Sequence, residues 1–186
     1  MLRMSKSLSS RNKRIILIVV FFILAVVVTT IGALQPISQA DATSINNELN
    51  QLRSNISIQY IFGNNLFICL LMFVPIVGWI FGFAALYNTG VVIAAESMAP
   101  SAHGAPPLFL FFTLFIFPFT WLEFISYSIG LSEGFWLMLR GIQSQTNVKI
   151  SFKRELRNLS TLITIVTLLL LAGAAIEYGL IVWLGA

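Results

Sequence analysis

Long runs of apolar residues, separated by short polar stretches, dominate this chain. The first run covers residues 15–34, two longer blocks cover residues 61–98 and 106–139, and a last run covers residues 159–184. A helix needs about 20 predominantly apolar residues to cross the hydrocarbon core of a bilayer. The pattern therefore predicts an all-α, polytopic integral membrane protein.

The two central blocks are each too long for one straight crossing. At 1.5 Å rise per residue each exceeds a core about 30 Å thick, so each must kink, split or re-enter. Residues 82–88 and Pro118 are both plausible hinges, and the pattern leaves open which block crosses twice. Three prolines and a glycine within residues 100–107 interrupt the helix between the blocks. Three crossings within residues 61–140 would give five transmembrane helices in all.

Basic residues are distributed unevenly around the apolar runs. Residues 1–14 hold five Lys or Arg, and residues 140–157 hold five more, whereas residues 35–60 hold only Arg53. The positive-inside rule then predicts a cytoplasmic N-terminus and an external polar loop at residues 35–60. By the same rule, residues 141–158 form a basic cytoplasmic segment, and the last helix, within residues 159–186, leaves the C-terminus outside the cell membrane.

The predicted external loop contains an amphipathic pattern. Within residues 44–57, apolar residues recur at spacings of four, three and four, which predicts a helix with one apolar stripe. Such a stripe suits either the membrane surface or a partner protein. The residues that form it are Ile45, Leu49, Leu52 and Ile56.

Composition narrows the class further. The chain is 58% hydrophobic and only 10% charged, against roughly 25% charged residues in soluble domains, which excludes a soluble enzyme. The net charge of +4 comes from basic residues beside the apolar runs. These residues predict contacts with anionic lipid head groups at the cytoplasmic basic segments, and not a nucleic-acid partner.

Few residues suit catalysis or cofactor binding. Cys69 is the single cysteine and His103 the single histidine, so no disulfide, metal site or cofactor is expected. The sequence has no nucleophile elbow, zinc-protease motif or P-loop. We therefore expect a protein that is not an enzyme.

Glu123 is the most informative polar residue within an apolar block, because a carboxyl group in the bilayer usually marks a function or a buried polar contact. On a helix it shares a face with Tyr127, Gly130 and Gly134. We expect Glu123 to lie at a contact between helices and to be hydrogen-bonded, with a Tyr hydroxyl or the free Leu114 carbonyl near Pro118 as candidate partners.

Asparagines and glycines form the other candidate groups. Asn64 and Asn65 open the first block and are expected to cap a helix, and Asn88, two residues before Gly90, indicates a break. An unwound stretch here would expose backbone groups to an intramembrane cavity, as in transporters. Two GxxxG motifs predict close helix packing, and their residues are Gly78, Gly82, Gly130 and Gly134.

Taken together, these features resemble the stage II sporulation protein M family of multi-spanning membrane proteins over about residues 60–140. The family's common Pro-His-Gly is here Pro118-Phe119-Thr120. In endospore formers, members of the family are associated with a membrane complex that remodels peptidoglycan, so the resemblance implies a membrane-embedded partner protein. The residues that carry it are Asn64, Asn65, Gly78, Gly82, Asn88, Thr89, Gly90, Pro118, Glu123 and Gly130.

Two functions fit the sequence. The first is a non-catalytic integral membrane subunit that binds and positions partner proteins, either in a cell-envelope remodelling complex or as an accessory subunit of a multi-subunit membrane enzyme. The alternative is a small oligomeric transporter or channel with Glu123 as a proton or cation site and Tyr127 and Asn88 as its neighbours.

Overall fold

A computed structural model describes residues 10–144 and 152–184, and within these ranges the regular structure is entirely helical. The predicted all-α class is therefore confirmed. Residues 145–151 of the predicted basic segment, which include Lys149, lie outside the described residues. The described residues form seven α-helices and one 3₁₀ turn, Pro100–Ala102. The helices are α1 Ser10–Ala33, α2 Gln39–Arg53, α3 Ile58–Met72, α4 Val77–Ser97, α5 Pro107–Leu114, α6 Pro118–Ser144 and α7 Phe152–Leu184.

Three helices, α1, α4 and α7, are each long and apolar enough to cross a membrane. α5 and α6 qualify together as a fourth candidate, bent by 88° at their junction. α3 is apolar but has only 15 residues. Three to four candidate spans by length and composition make this a helical membrane protein.

The first central block divides at residues 73–76 and not at residues 82–88. α3 ends at Met72 and α4 begins at Val77, with Pro75 between them and Ile76 at a φ of 68°. Proline cannot continue the hydrogen bonding of a helix interior, which explains the position of the turn. α4 then continues through Asn88 and Gly90 without interruption, so the expected break there is wrong.

Gly90 serves helix packing instead. α1 and α4 run parallel, with the rings of Phe21 and Phe83 stacked at a centroid distance of 6.0 Å. Near the other end of this contact, a Cβ at Gly32 would meet the Tyr87 carbonyl oxygen, and a Cβ at Gly90 would meet the Thr29 carbonyl oxygen. Only glycines permit this approach of the two backbones.

α6 lies at the centre of the bundle and packs against α1, α3 and α7. Its Gly134 faces the Met72 carbonyl oxygen of α3, and Gly130 faces Cys69 one turn earlier in α3. Gly82 of α4 receives the side chain of Leu131, and Gly78 faces the end of α3. All four glycines of the two GxxxG motifs therefore lie at close helix contacts.

α2 forms the amphipathic helix of the predicted external loop and packs against the end of α4. Ser38 caps its start, accepting a hydrogen bond from the Asp41 amide. Asn46 donates to the Ala95 carbonyl oxygen at 2.9 Å, and Arg53 pairs with Glu96. These polar contacts place α2 beside the C-terminal end of α4.

Candidate functional site

Glu123 lies on α6, five residues after Pro118, and its partner comes from α3. The Asn65 side-chain amide donates a hydrogen bond to Oε1 of Glu123 at 2.6 Å. Both side chains are partly buried. The predicted polar contact between helices is therefore present, but its partner is an amide and not a phenol or the Leu114 carbonyl.

Two further polar side chains lie near this pair. Glu177 of α7 and Tyr127, one turn along α6, both lie within electrostatic range of Glu123. Cys69, fully buried on α3, donates to the Ser126 carbonyl oxygen at 3.4 Å on the adjacent turn. We call the set Asn65, Glu123, Tyr127 and Glu177 the amide–carboxyl cluster. It joins α3, α6 and α7.

Two of the asparagines that the sequence singled out, Asn88 and Asn64, lie outside this cluster. Asn88 is exposed on α4. Asn64 is also exposed and only reaches its neighbour Asn65, at 3.4 Å. Neither Asn64 nor Asn65 caps α3, because the helix begins earlier and Ser57 is its N-cap, accepting from the Tyr60 amide.

The junction between α5 and α6 satisfies its own carbonyl groups. Pro118 has no amide hydrogen to donate, and the Thr120 hydroxyl donates to the Leu114 carbonyl oxygen at 2.8 Å. The Trp121 indole donates to the Phe115 carbonyl oxygen, also at 2.8 Å. Side chains just inside α6 thus donate to carbonyl groups near the end of α5, where the helical hydrogen-bond pattern is interrupted.

A second polar group lies at the other end of α6, and the sequence-based predictions did not connect its residues to one another. Nη1 of Arg14 on α1 is 2.8 Å from both carboxyl oxygens of Glu133, which is only 2% exposed. Arg14 also pairs with Glu155 of α7, and Nε of Arg140 lies 3.6 Å from Glu155. We call Arg14, Glu133, Arg140 and Glu155 the ion-pair network.

Trp136 completes this end of the bundle. The guanidinium groups of Arg14 and Arg140 lie 5.0 Å and 4.7 Å from the centroid of its ring, both within range of cation–π attraction. The ring and two carboxylates thus surround two arginines. The network ties α1, α6 and α7 together where the candidate spans α1 and α7 begin.

The described side chains offer little for metal or covalent chemistry. No group of three or more His, Cys, Asp or Glu is placed to hold a metal ion within residues 10–144 and 152–184. Comparison with models of protein families, with curated proteins and with solved structures gives no match to this chain. The resemblance to stage II sporulation protein M proteins stays a prediction, and the class that the fold defines is a helical membrane protein.

Proposed function

We propose that this protein is a non-catalytic integral membrane subunit that binds and positions partner proteins within the bilayer. The supporting observation is the way in which polar and apolar side chains are divided. The membrane carboxyl groups Glu123 and Glu133 are bonded to other helices of the chain. Large apolar side chains face outward instead, with Phe109, Ile116 and Trp183 exposed by 64%, 77% and 81%.

We also propose that the chain crosses the membrane five times, through α1, α3, α4, α6 and α7. The contacts described above support alternating directions. Asn65 beside Glu123 and Met72 beside Gly134 make α3 and α6 parallel. Arg14 beside Glu133 and Phe22 beside Trp121 make α1 antiparallel to α6. α3 is then a short crossing of about 22 Å, and local thinning of the bilayer would accommodate it.

Cysteine labelling tests this arrangement in a Cys69→Ala background. Ser44→Cys on α2 should react with an impermeant reagent added outside intact cells, and Gly141→Cys near the end of α6 should not. Val74→Cys, in the turn between α3 and α4, decides whether α3 crosses. We expect it to react from the same side as Gly141→Cys, and reaction from the side of Ser44→Cys would contradict a fifth crossing.

The partners that this role implies are other integral membrane proteins. The sequence resemblance favours a cell-envelope remodelling complex, and an accessory place in a multi-subunit membrane enzyme is the other possibility. The bent α5–α6 pair offers a contact surface, since it exposes large apolar side chains on both sides of the bend. These are Phe109, Phe112, Ile116 and Trp121.

Copurification of the tagged chain in mild detergent tests the subunit role. We expect a complex heavier than the 20.7 kDa chain, with a second protein in constant ratio. Phe109→Ala with Ile116→Ala should reduce its recovery, whereas Val182→Ala with Trp183→Ala, a matched loss of exposed apolar area on α7, should not. Migration of the wild type at its monomer mass would contradict the proposal.

A second candidate function is a small oligomeric transporter or channel that uses Glu123 as a proton or cation site. The amide–carboxyl cluster favours it, because Glu177 brings a second carboxyl group near Glu123 and Asn65 adds an amide. Polar groups of this kind inside a membrane protein mark ion pathways in many transporters. A bundle this small would need to form an oligomer, and ion flux through the reconstituted protein separates this function from the first.

A further inference from the structure

A cleft lies between α1 and α7 beside the ion-pair network. Both helices pack along α6, and Arg14 of α1 also pairs with Glu155 of α7. The space between them forms a cavity of about 360 Å³, within the size range of small-ligand sites. Its polar lining comes from Arg11 and Arg14 of α1, Ser132 and Glu133 of α6, and Arg154, Asn158 and Thr161 of α7.

The cleft carries an excess of positive charge. Of its three arginines, only Arg14 is paired, with Glu133 and with Glu155. Arg11 and Arg154 are exposed and make no ion pair or hydrogen bond to another described side chain. Glu133 is the one carboxylate among the lining residues, and it is already bonded to Arg14. The guanidinium donors of Arg11 and Arg154 therefore remain available to a ligand.

We propose that this cleft binds the phosphate of an anionic phospholipid. Two guanidinium groups from opposite walls suit a phosphate, which they contact through paired, charge-assisted hydrogen bonds. The Asn158 amide supplies two further donors on the α7 wall. The donors therefore come from two helices, and a phosphate between α1 and α7 could be contacted from both sides.

The apolar part of the cleft selects a lipid over a soluble phosphate. Ile15, Ile18 and Leu162 line it below the arginines and offer a surface to an acyl chain. The cleft also lies where two candidate spans begin, at Arg11 and at Lys153. The ends of membrane-spanning helices lie at the level of the lipid phosphates. The arginines would therefore bind the head group while the apolar residues contact an acyl chain of the same lipid. The inference rests on the membrane placement of α1 and α7 in the proposed function.

The test is a lipid titration of the purified full chain in neutral detergent, followed by tryptophan fluorescence. The probes are short-chain phosphatidylglycerol, short-chain phosphatidylcholine and inorganic phosphate at constant ionic strength. We expect phosphatidylglycerol to bind at least about tenfold more tightly than either of the others. Equal affinity for phosphatidylcholine would overturn the proposal, and equal affinity for inorganic phosphate would assign the cleft to a soluble anion.

Paired variants locate the site. Arg11→Gln with Arg154→Gln should weaken phosphatidylglycerol binding by about tenfold or more. Lys153→Gln with Arg157→Gln removes the same charge from exposed positions of α7 outside the cleft, and should weaken it less than about threefold. Equal losses in both pairs would contradict a site in the cleft.

A third variant tests the hydrogen-bond donors of the cleft without changing its charge. Asn158→Leu keeps every charge and should still weaken binding severalfold, since it removes two donors. The thermal midpoint without lipid reports whether each variant folds. Unchanged lipid binding by Asn158→Leu would show that the Asn158 amide does not contact the phosphate. The assay uses the isolated chain, so its result does not depend on whether the protein has a partner protein.

Discussion

The two carboxyl groups on α6 that contact other helices differ in the partner each one meets. Glu123 accepts one hydrogen bond from the neutral Asn65 amide and remains partly exposed. Glu133, ten residues later, is almost fully buried and has both oxygens on the Arg14 guanidinium. The first contact joins α3 and α6 through a hydrogen bond. The second joins α1 and α6 through charge, and Arg14 extends it to α7 through Glu155.

Substitutions at the two ends of α6 should therefore change the free energy of unfolding by different amounts. Removing one member of a buried ion pair leaves an uncompensated charge, which is far more costly than losing one neutral hydrogen bond. Loss of one member of the ion-pair network should therefore cost more stability than loss of one member of the amide–carboxyl cluster. The amide–carboxyl cluster should tolerate a neutral replacement, provided that the replacement still accepts a hydrogen bond from Asn65.

Glu133→Leu should have the largest effect. It leaves Arg14, whose side chain is only 15% exposed, with Glu155 as its one remaining carboxylate. We expect a loss of about 3–5 kcal/mol in unfolding free energy. Thermal and denaturant unfolding in detergent measures this. A loss below about 1 kcal/mol would show that Arg14 reaches solvent and that the network carries little of the stability.

A double-mutant cycle sharpens the same point. Arg14→Met combined with Glu133→Leu removes both charges of the pair, so the double variant should lose less than the sum of the two single losses. The expected coupling is about 1–3 kcal/mol, measured by the same unfolding assay. Simple additivity would mean that the two residues act independently in spite of their 2.8 Å contacts.

Substitutions of Glu123 should have an intermediate effect. Glu123→Leu strands the Asn65 amide and should cost about 1–2 kcal/mol, whereas Glu123→Gln keeps an acceptor and should change stability by less than about 0.5 kcal/mol. Asn65→Leu serves as the reciprocal test and should cost about as much as Glu123→Leu. Equal stability of Glu123→Leu and the wild type would remove the amide–carboxyl contact from the account.

The smallest change in unfolding free energy is expected for the ion pair between α2 and α4. Arg53 and Glu96 join α2 to α4, but their side chains are 57% and 30% exposed. Exposed pairs contribute at most about 1 kcal/mol, so Arg53→Gln should change the unfolding free energy by less than that. A larger loss would place α2 among the determinants of stability, next to the ion-pair network.

The sequence predicted the features that depend on short stretches of the chain. Apolar length alone predicted α1 and α7, and the spacing of Ile45, Leu49, Leu52 and Ile56 predicted α2. The helix ends at Arg53, however, so the prediction was wrong for Ile56. Pro118 begins α6, as a proline in the first turn of a helix commonly does. These predictions succeed because the physical cause lies within one or two helical turns.

The predictions that failed, and the contacts that were missed, depend on residues that lie far apart in the sequence. Gly90 after Asn88 resembles a helix break, but the same missing Cβ lets α1 approach, and only the tertiary contact with Gly32 decides between these readings. Arg14 and Glu133 are 119 residues apart along the chain. Arg14 was interpreted only as a topology marker, because no local pattern connects it to a carboxyl group on α6.

Ion flux through reconstituted protein tests the central claim, that the membrane carboxyl groups hold helices together and do not conduct. The measurement compares proton and cation flux in liposomes that contain the wild type, Glu123→Gln or no protein. We expect the same flux in all three, since Asn65 bonds Glu123 within the bundle. Flux through the wild type that is lost in Glu123→Gln would contradict the claim and identify Glu123 as an ion site.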